Sequence, residues 1–264
     1  MKHILLLSTV AALFLTSCSK DDNNAISTTE LGGQTTLTFN STVGTADFSL
    51  NKDFTINGST YNFTQLRYWV SNISLINDKG GAYKVPNSYF LLEENNAIAV
   101  QDGSFTYPAH KREDVIINEI PAGTYKRITF SVGIDSIYNN NLSLQAGELS
   151  QLNGMTNISW MWHTSYIFSS LKGSMKVGVD STAITVETGL NKNYRTLSID
   201  FPASVNIGAS AATAIKFNVD VAKVIDGLDL STTPVIGAAQ ATQMTMVADN
   251  YSTKAIVASS TASK

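Results

Sequence analysis

Residues 54–63 read Phe-Thr-Ile-Asn-Gly-Ser-Thr-Tyr-Asn-Phe, and this decapeptide decides the fold class. Asn57-Gly58 is the pair that accepts positive φ at both central positions of a two-residue hairpin turn. On either side of it apolar and polar residues alternate, the period of a half-buried strand. Phe54-Thr55-Ile56 is therefore expected to pair with Thr60-Tyr61-Asn62. The same period runs outward from this turn. Thr36 to Asn40 alternates Leu37 and Phe39 with polar residues, and Leu66 to Ile76 reads as a longer strand that turns at Asn77-Asp78-Lys79-Gly80-Gly81. Tyr83 to Val85 and Tyr89 to Leu92 extend that sheet. Val115 to Ile120, Pro121-Ala122-Gly123 and Tyr125 to Ile134 read as a second hairpin, with Tyr125, Ile128, Phe130 and Val132 available to a core. Arg195 to Phe201 and Ile215 to Val221 are further strands.

Helical signals are short: Leu142 to Leu152, Ala222 to Ile225 and Thr242 to Ala248. No segment reads as a βαβ unit, and no fixed-period repeat or long proline-rich linker interrupts the chain. The expected architecture is all-β, an antiparallel β-sandwich with a few short helices, forming a single domain over residues 33–258. The small polar residues 259–264 are expected to fray.

The start of the chain carries a targeting signal. Lys2 precedes the apolar run Ile4 to Leu15, which is too short to span a bilayer, and Leu15-Thr16-Ser17-Cys18 closes it. Residues 1–17 look like a lipoprotein signal peptide. That likeness implies cleavage before Cys18, diacylation of its thiol, and a polar tether over 18–32. The expected location is the bacterial outer membrane, lipid-anchored, on its periplasmic or outer face. Cys18 is also the sole cysteine, so no intramolecular disulfide, zinc ribbon or thiolate cluster can form. A formal charge of −3 offers no basic face for nucleic acid.

Enzyme signatures are missing. There is no Gly-x-Ser-x-Gly elbow, His-Glu-x-x-His pair or phosphate-binding glycine loop, and a non-enzymatic role is expected. Glu93-Glu94 and Glu113-Asp114 are adjacent, so their members point to opposite faces of a strand and read as solvated edge charges. Asp226-Gly227-Leu228-Asp229 lacks the oxygen spacing of an EF-hand.

One segment gathers the side chains that carry chemistry: residues 154–173, GMTNISWMWHTSYIFSSLKG, with two of the three tryptophans and His163. Met155, Trp160, Trp162, Tyr166, Phe168 and Gly173 in that order resemble the signature of the MbnP-like family of bacterial envelope proteins. Ser131 to Ser136 with Asn139 or Asn140 is similar to the family's Gly-Val turn and its asparagine. Leu66-Arg67-Tyr68 with Ser71, the Pro121-Ala122-Gly123-x-Tyr125 turn and Val247-Ala248-Asp249-Asn250 add to the likeness, which spans most of residues 36–257.

The resemblance implies copper binding or handling, since the family's best-known members bind copper. It also implies that Trp160 or Trp162 corresponds to a tryptophan oxidised to kynurenine by a dihaem oxidase-type partner. Many family members carry a histidine after the turn asparagine and another after the terminal glycine of the motif. Here those regions read NNNLS and SMKVGVD. Copper(I) favours thioether and imidazole donors, and the candidate metal ligands are His163, Met161, Met155, Trp160 and Trp162. Met175, Met244 and Met246 are further sulfur donors. If residues 160–168 form a regular strand, Met161 and His163 share one face while both tryptophans share the other. Alternating aromatics also suit a sandwich core, and His110 reads as part of a polar loop. The alternative function is a metal-free interaction or ligand-binding module on the same scaffold.

Overall fold

The computed structural model describes residues 32–100, 103–157, 165–209 and 212–263. The strands, in chain order, are β1 (Gly33–Val43), β2 (Ala46–Asp47), β3 (Asp53–Ile56), β4 (Ser59–Asn77), β5 (Ala82–Lys84), β6 (Tyr89–Asn95), β7 (Ile98–Val100), β8 (Phe105–Tyr107) and β9 (His110–Arg112). They continue with β10 (Asp114–Ile120), β11 (Gly123–Val132), β12 (Thr156–Asn157), β13 (Ser165–Val177), β14 (Asp180–Gly189), β15 (Arg195–Ile207), β16 (Thr213–Asp220), β17 (Val235–Ile236) and β18 (Ile256–Ser263). Among the described residues the short α-helices are α1 (Ser136–Asn139), α2 (Val221–Val224) and α3 (Ala241–Asn250).

The Asn57-Gly58 turn forms as its residues dictate. Both have positive φ, 50° and 83°, and Phe54 faces Tyr61 across the β3–β4 ladder. Around it the larger sheet runs β15-β11-β4-β13-β14-β17, with β3, β5 and β6 also paired to β4. The smaller sheet runs β10-β1-β16-β18. Phe39 of β1 stacks on Phe217 of β16 at 4.8 Å and meets Phe130 of β11 edge-on at 5.5 Å, so the two sheets close on an aromatic centre. The fold is the expected β-sandwich with few helices. Among the described residues β1 pairs with β16, and β14 with β17, in parallel.

Three expectations change. The segments around Pro121-Ala122-Gly123 do not form a hairpin: β10 pairs with β1, while β11 pairs with β4 and β15. Glu119 takes a positive φ of 58°, and the Tyr125 hydroxyl donates to Pro121 O at 2.7 Å, which turns the chain from one sheet to the other. Residues 142–152 form turns in place of a helix. Asn141 Oδ1 accepts from Ser143 N and Oγ, competing with helical bonds, and Gly147 has a φ of 52°. The helix of this region comes earlier, as α1, with Asp135 accepting from Ile137 N as its N-cap. Finally, residues 259–263 continue β18, where Thr261 faces Ile215 and Ser263 faces Thr213. Backbone pairing to β16 holds them without apolar side chains.

The β13–β14 hairpin, turning at Gly178, has no counterpart among the strands expected from the sequence. Gly173 sits where the β13–β4 register shifts. A Cβ there would lie against Asn62 O and within 2.8 Å of Phe63 Cα, so only glycine lets the backbones approach this closely.

Strand β4 presents two buried faces of different character. Leu66, Tyr68 and Val70 face the inter-sheet core, where the Tyr68 ring meets Tyr251 at 5.6 Å. By alternation Gln65, Arg67 and Trp69 face the other way. They are nevertheless buried: Tyr107 of β8 and Gly154 lie by the Arg67 guanidinium, Trp69 meets Tyr166, and Gln65 donates to Ser170. Function is to be sought on this covered outer face.

Candidate functional site

The turn after β11 and the start of β13 meet through Asn139. Its Oδ1 accepts from Tyr166 N at 2.9 Å and its Nδ2 donates to Asn191 Oδ1 at 2.9 Å. Asn139 is buried, whereas Asn140 is exposed and accepts from Asn191 Nδ2. Asn139 is thus the asparagine that ties the Gly133 turn to the tryptophan segment. Gly133 has a φ of 109°, and a Cβ there would lie 2.6 Å from Phe168 Cδ2. Gly133 N donates to Trp69 O at 3.0 Å and its carbonyl accepts from Ser71 Oγ at 2.6 Å.

Met155 lies on the same scaffold. It is fully buried, its N–H donates to Asn153 Oδ1 and its carbonyl accepts from Ile167 N, both at 2.9 Å. Thr156 faces Tyr166 and Asn157 faces Ser165 in the β12–β13 ladder. Trp160, Met161, Trp162 and His163 fall between these ladder partners and lie outside the described residues, as do Cys18 and the leader. The expected facial arrangement of residues 160–168 therefore meets the structure only from Ser165 onward. There a bulge between Ile167 and Ser169 breaks strict alternation.

Buried polar atoms gather beside this segment. Trp69 Nε1, Ser165 Oγ and the Tyr166 hydroxyl have no hydrogen-bond partner among the described residues. Trp69 meets Tyr166 edge-on at 6.0 Å. Burial holds the Tyr166 hydroxyl above its ordinary pKa. The other sulfur donors are dispersed: Met175 faces Tyr61 in the core, Met244 is buried on α3, and Met246 is partly exposed beside Gly227.

A second cluster lies two residues along β4. Arg67 is fully buried, with Nε donating to Glu93 Oε2 at 2.7 Å and Nη2 2.7 Å from the same oxygen. Nε makes the hydrogen bond and Nη2 an ion-pair contact only, so neither Nη2 nor Nη1 has a hydrogen-bond partner among the described residues; Nη1 lies by Gly154, just before Met155. Glu93 Oε1 accepts from the Tyr107 hydroxyl at 2.5 Å and bonds His110 Nδ1 at 2.9 Å. The Arg67 guanidinium lies 4.8 Å from the Tyr107 ring centre. Burial, then the bond to Glu93, pushes the Tyr107 hydroxyl up to about 12, so at neutral pH it stays a donor. Glu93 is thus a buried acceptor for three side chains, a correction to its reading as a solvated edge charge. His110 belongs to β9 and not to a loop.

Glu94 behaves as the edge residue of its pair, accepting from Leu50 N and facing Lys111 at 2.9 Å. Asp226 pairs with Lys254, and Asp229 caps Ser231 and Thr232, so their carboxylates are already engaged.

A profile of the MbnP family matches residues 32–245. The chain belongs to the MbnP family. Its fold is similar to that of MbnP from Methylosinus trichosporium, with a TM-score of 0.50 and 14% identity, covering 78% of this chain and 82% of that chain. No curated protein matches.

The MbnP relationship poses the question of copper. Among the described residues no group of three or more histidine, cysteine, aspartate or glutamate side chains is placed to hold a metal ion. At the family turn Asn139 presents a carboxamide whose oxygen and nitrogen are both engaged. Of the candidate ligands, the described residues supply the Met155 thioether alone. Sequence reasoning missed Arg67, Glu93 and Tyr107, whose burial depends on β8 folding over β6. The hints were the place of Arg67 in the family-like Leu66-Arg67-Tyr68 run and its apolar and aromatic neighbours Leu66, Tyr68, Trp69 and Val70.

Proposed function

We propose that this MbnP-family chain is a lipid-anchored cell-envelope protein that binds or handles copper, with no enzymatic activity of its own. What carries the reading is the family match across residues 32–245 together with the buried Met155, two residues before the ladder pair that flanks the His163 segment. In this reading His163 and Met161 join Met155 as imidazole and thioether donors, a set suited to copper(I). Trp160 or Trp162 is the residue a dihaem oxidase-type partner would oxidise. Cys18 carries the lipid that holds the chain at the outer membrane.

The experiment is a copper(I) titration of the full chain in detergent, beside His163→Ala and Met155→Leu, with an intact mass for tryptophan oxidation. One-to-one binding that His163→Ala abolishes and Met155→Leu weakens is the expected result. Equal copper binding by His163→Ala and the unaltered chain refutes the ligand assignment. The cavity above Glu93 favours a second reading, a metal-free ligand-binding module on this scaffold, which unaltered tryptophans and no copper binding would leave standing.

A further inference from the structure

Glu93 and His110, beneath which Arg67 is buried, line a cavity to which Met155 does not contribute. The cavity has a volume of about 400 Å³, within the range of small-molecule sites, roughly 300–1,000 Å³. Glu93 and Leu91 of β6 and His110 and Arg112 of β9 line its floor. Phe105 and Leu152 also line it, 41% and 46% exposed, and supply its large apolar surfaces.

The polar groups are arranged so that charge cancels in place. Arg67 holds Glu93 at 2.7 Å, and Arg112 Nη1 donates to Glu148 Oε2 at 2.6 Å. Glu148 Oε2 also accepts from Leu91 N at 2.9 Å, which fixes the far wall. A carboxylate paired with a guanidinium can only accept, so the His110 proton bonded to Glu93 sits on Nδ1. In the neutral imidazole Nε2 is then left as an acceptor, on a ring that is half exposed in the cavity. An imidazole oriented by a buried carboxylate, itself held by a buried arginine and a tyrosine, is a built hydrogen-bonding position and not a solvated side chain.

We infer that this cavity binds a small neutral molecule with a flat apolar body and a hydroxyl, of which a simple phenol is the type. The apolar body lies between Phe105 and Leu152, and the hydroxyl donates to His110 Nε2. Local neutrality selects the class. An anionic ligand would face Glu148 and Glu93, a cationic one Arg112, and neither finds an unpaired opposite charge among the lining residues. Met155, the candidate ligand among the described residues, does not line the cavity, and the inference does not rest on copper being bound.

The test compares three ligands sharing one phenol ring: 4-ethylphenol, 4-hydroxyphenylacetate and tyramine. Each is titrated into the metal-free full chain while the His110 ring resonances, assigned by their loss in His110→Gln, are followed by NMR. Expected is saturable, millimolar or tighter binding of 4-ethylphenol that shifts the His110 ring. His110→Gln and Leu152→Glu should each weaken that binding about tenfold or more, as loss of a central contact does. Both changes are at exposed side chains, and an unchanged thermal midpoint shows that the fold is retained. No saturable shift, equal binding by both variants, or tighter binding of either charged analogue overturns the inference.

Discussion

Replacing Arg67 by methionine keeps the length and much of the volume of the side chain but removes the charge that faces Glu93. The carboxylate is 2% exposed and would keep only Tyr107 and the half-exposed His110 as partners. Breaking a buried ion pair from one side costs about 3–5 kcal/mol, because the remaining charge stays desolvated. Replacing both partners, Arg67→Met with Glu93→Gln, removes both charges and should recover most of that loss. A double-mutant cycle therefore predicts single costs of about 3–5 kcal/mol and a coupling of about 2 kcal/mol or more. The assay is urea unfolding at neutral pH, followed by tryptophan fluorescence and far-UV circular dichroism, with coincident transitions required. If Arg67→Met shifts stability by less than about 1 kcal/mol, or the two changes simply add, the pair is water-accessible and the reasoning is wrong.

Gly173→Ala forces a Cβ into the β4 backbone at Asn62 and Phe63, and should destabilise by about 3 kcal/mol in the same assay; a change under about 0.5 kcal/mol would show that the strands separate freely. Asn139→Ala leaves Tyr166 N without its acceptor and should cost about 1–3 kcal/mol, read from the urea midpoint. Alkaline pH should unfold the protein through its tyrosines. Burial raises Tyr107 and Tyr125 to about 12 and also raises Tyr68 and Tyr251. The folded state thus holds phenolic protons that the unfolded chain releases near pH 10. This stability is complete below about pH 10 and is lost as pH rises through about 12, so the thermal midpoint should fall across that window with phenolate absorbance rising at the transition. Ionisation of all ten tyrosines by about pH 10 in the folded protein would contradict the burial argument.

The parts of the fold legible in the sequence are those decided by neighbours along the chain. Asn57-Gly58 specifies its own turn, and the alternation in Leu37 and Phe39 or in Phe130 and Val132 needs only a period of two. What the sequence does not show is which strand a given edge meets. Val115 to Ile120 and Tyr125 to Ile134 look like hairpin arms because both alternate and a proline-glycine turn joins them. Yet the Tyr125 hydroxyl and the positive φ of Glu119 send them into different sheets, a choice between two equally apolar partners. The candidate site divides the same way. Met155 is legible as a candidate from its place in a family signature, and its burial comes from the fold; Glu93 becomes an interior charge only when β8, twelve or more residues away, lays Tyr107 over it.

The outer face of the larger sheet explains why chemistry concentrates there. A sandwich needs one apolar face per sheet, and here Leu66, Tyr68 and Val70 supply it from β4. The opposite face is free of that demand and can bear Gln65, Arg67 and Trp69, provided long connections cover them. Tyr107 of the β7–β8 hairpin and Gly154 of the chain between α1 and β12 do so at Arg67, and a cover made of loops leaves space that a second sheet would fill. Gln65 Nε2 donates to Ser170 Oγ at 2.7 Å, Ser170 Oγ donates to Glu187 Oε1 at 3.1 Å, and Lys172 lies 3.2 Å from that carboxylate. The polar system thus runs across the sheet from Lys172 on β13 to His110 on β9. Along this line Glu187 meets the partly exposed Lys172, whereas Glu93 meets a fully buried arginine and carries the histidine. Paired charge at both ends but an oriented imidazole at only one makes the Glu93 end the place to look for a ligand, and the Glu187 end a support for it.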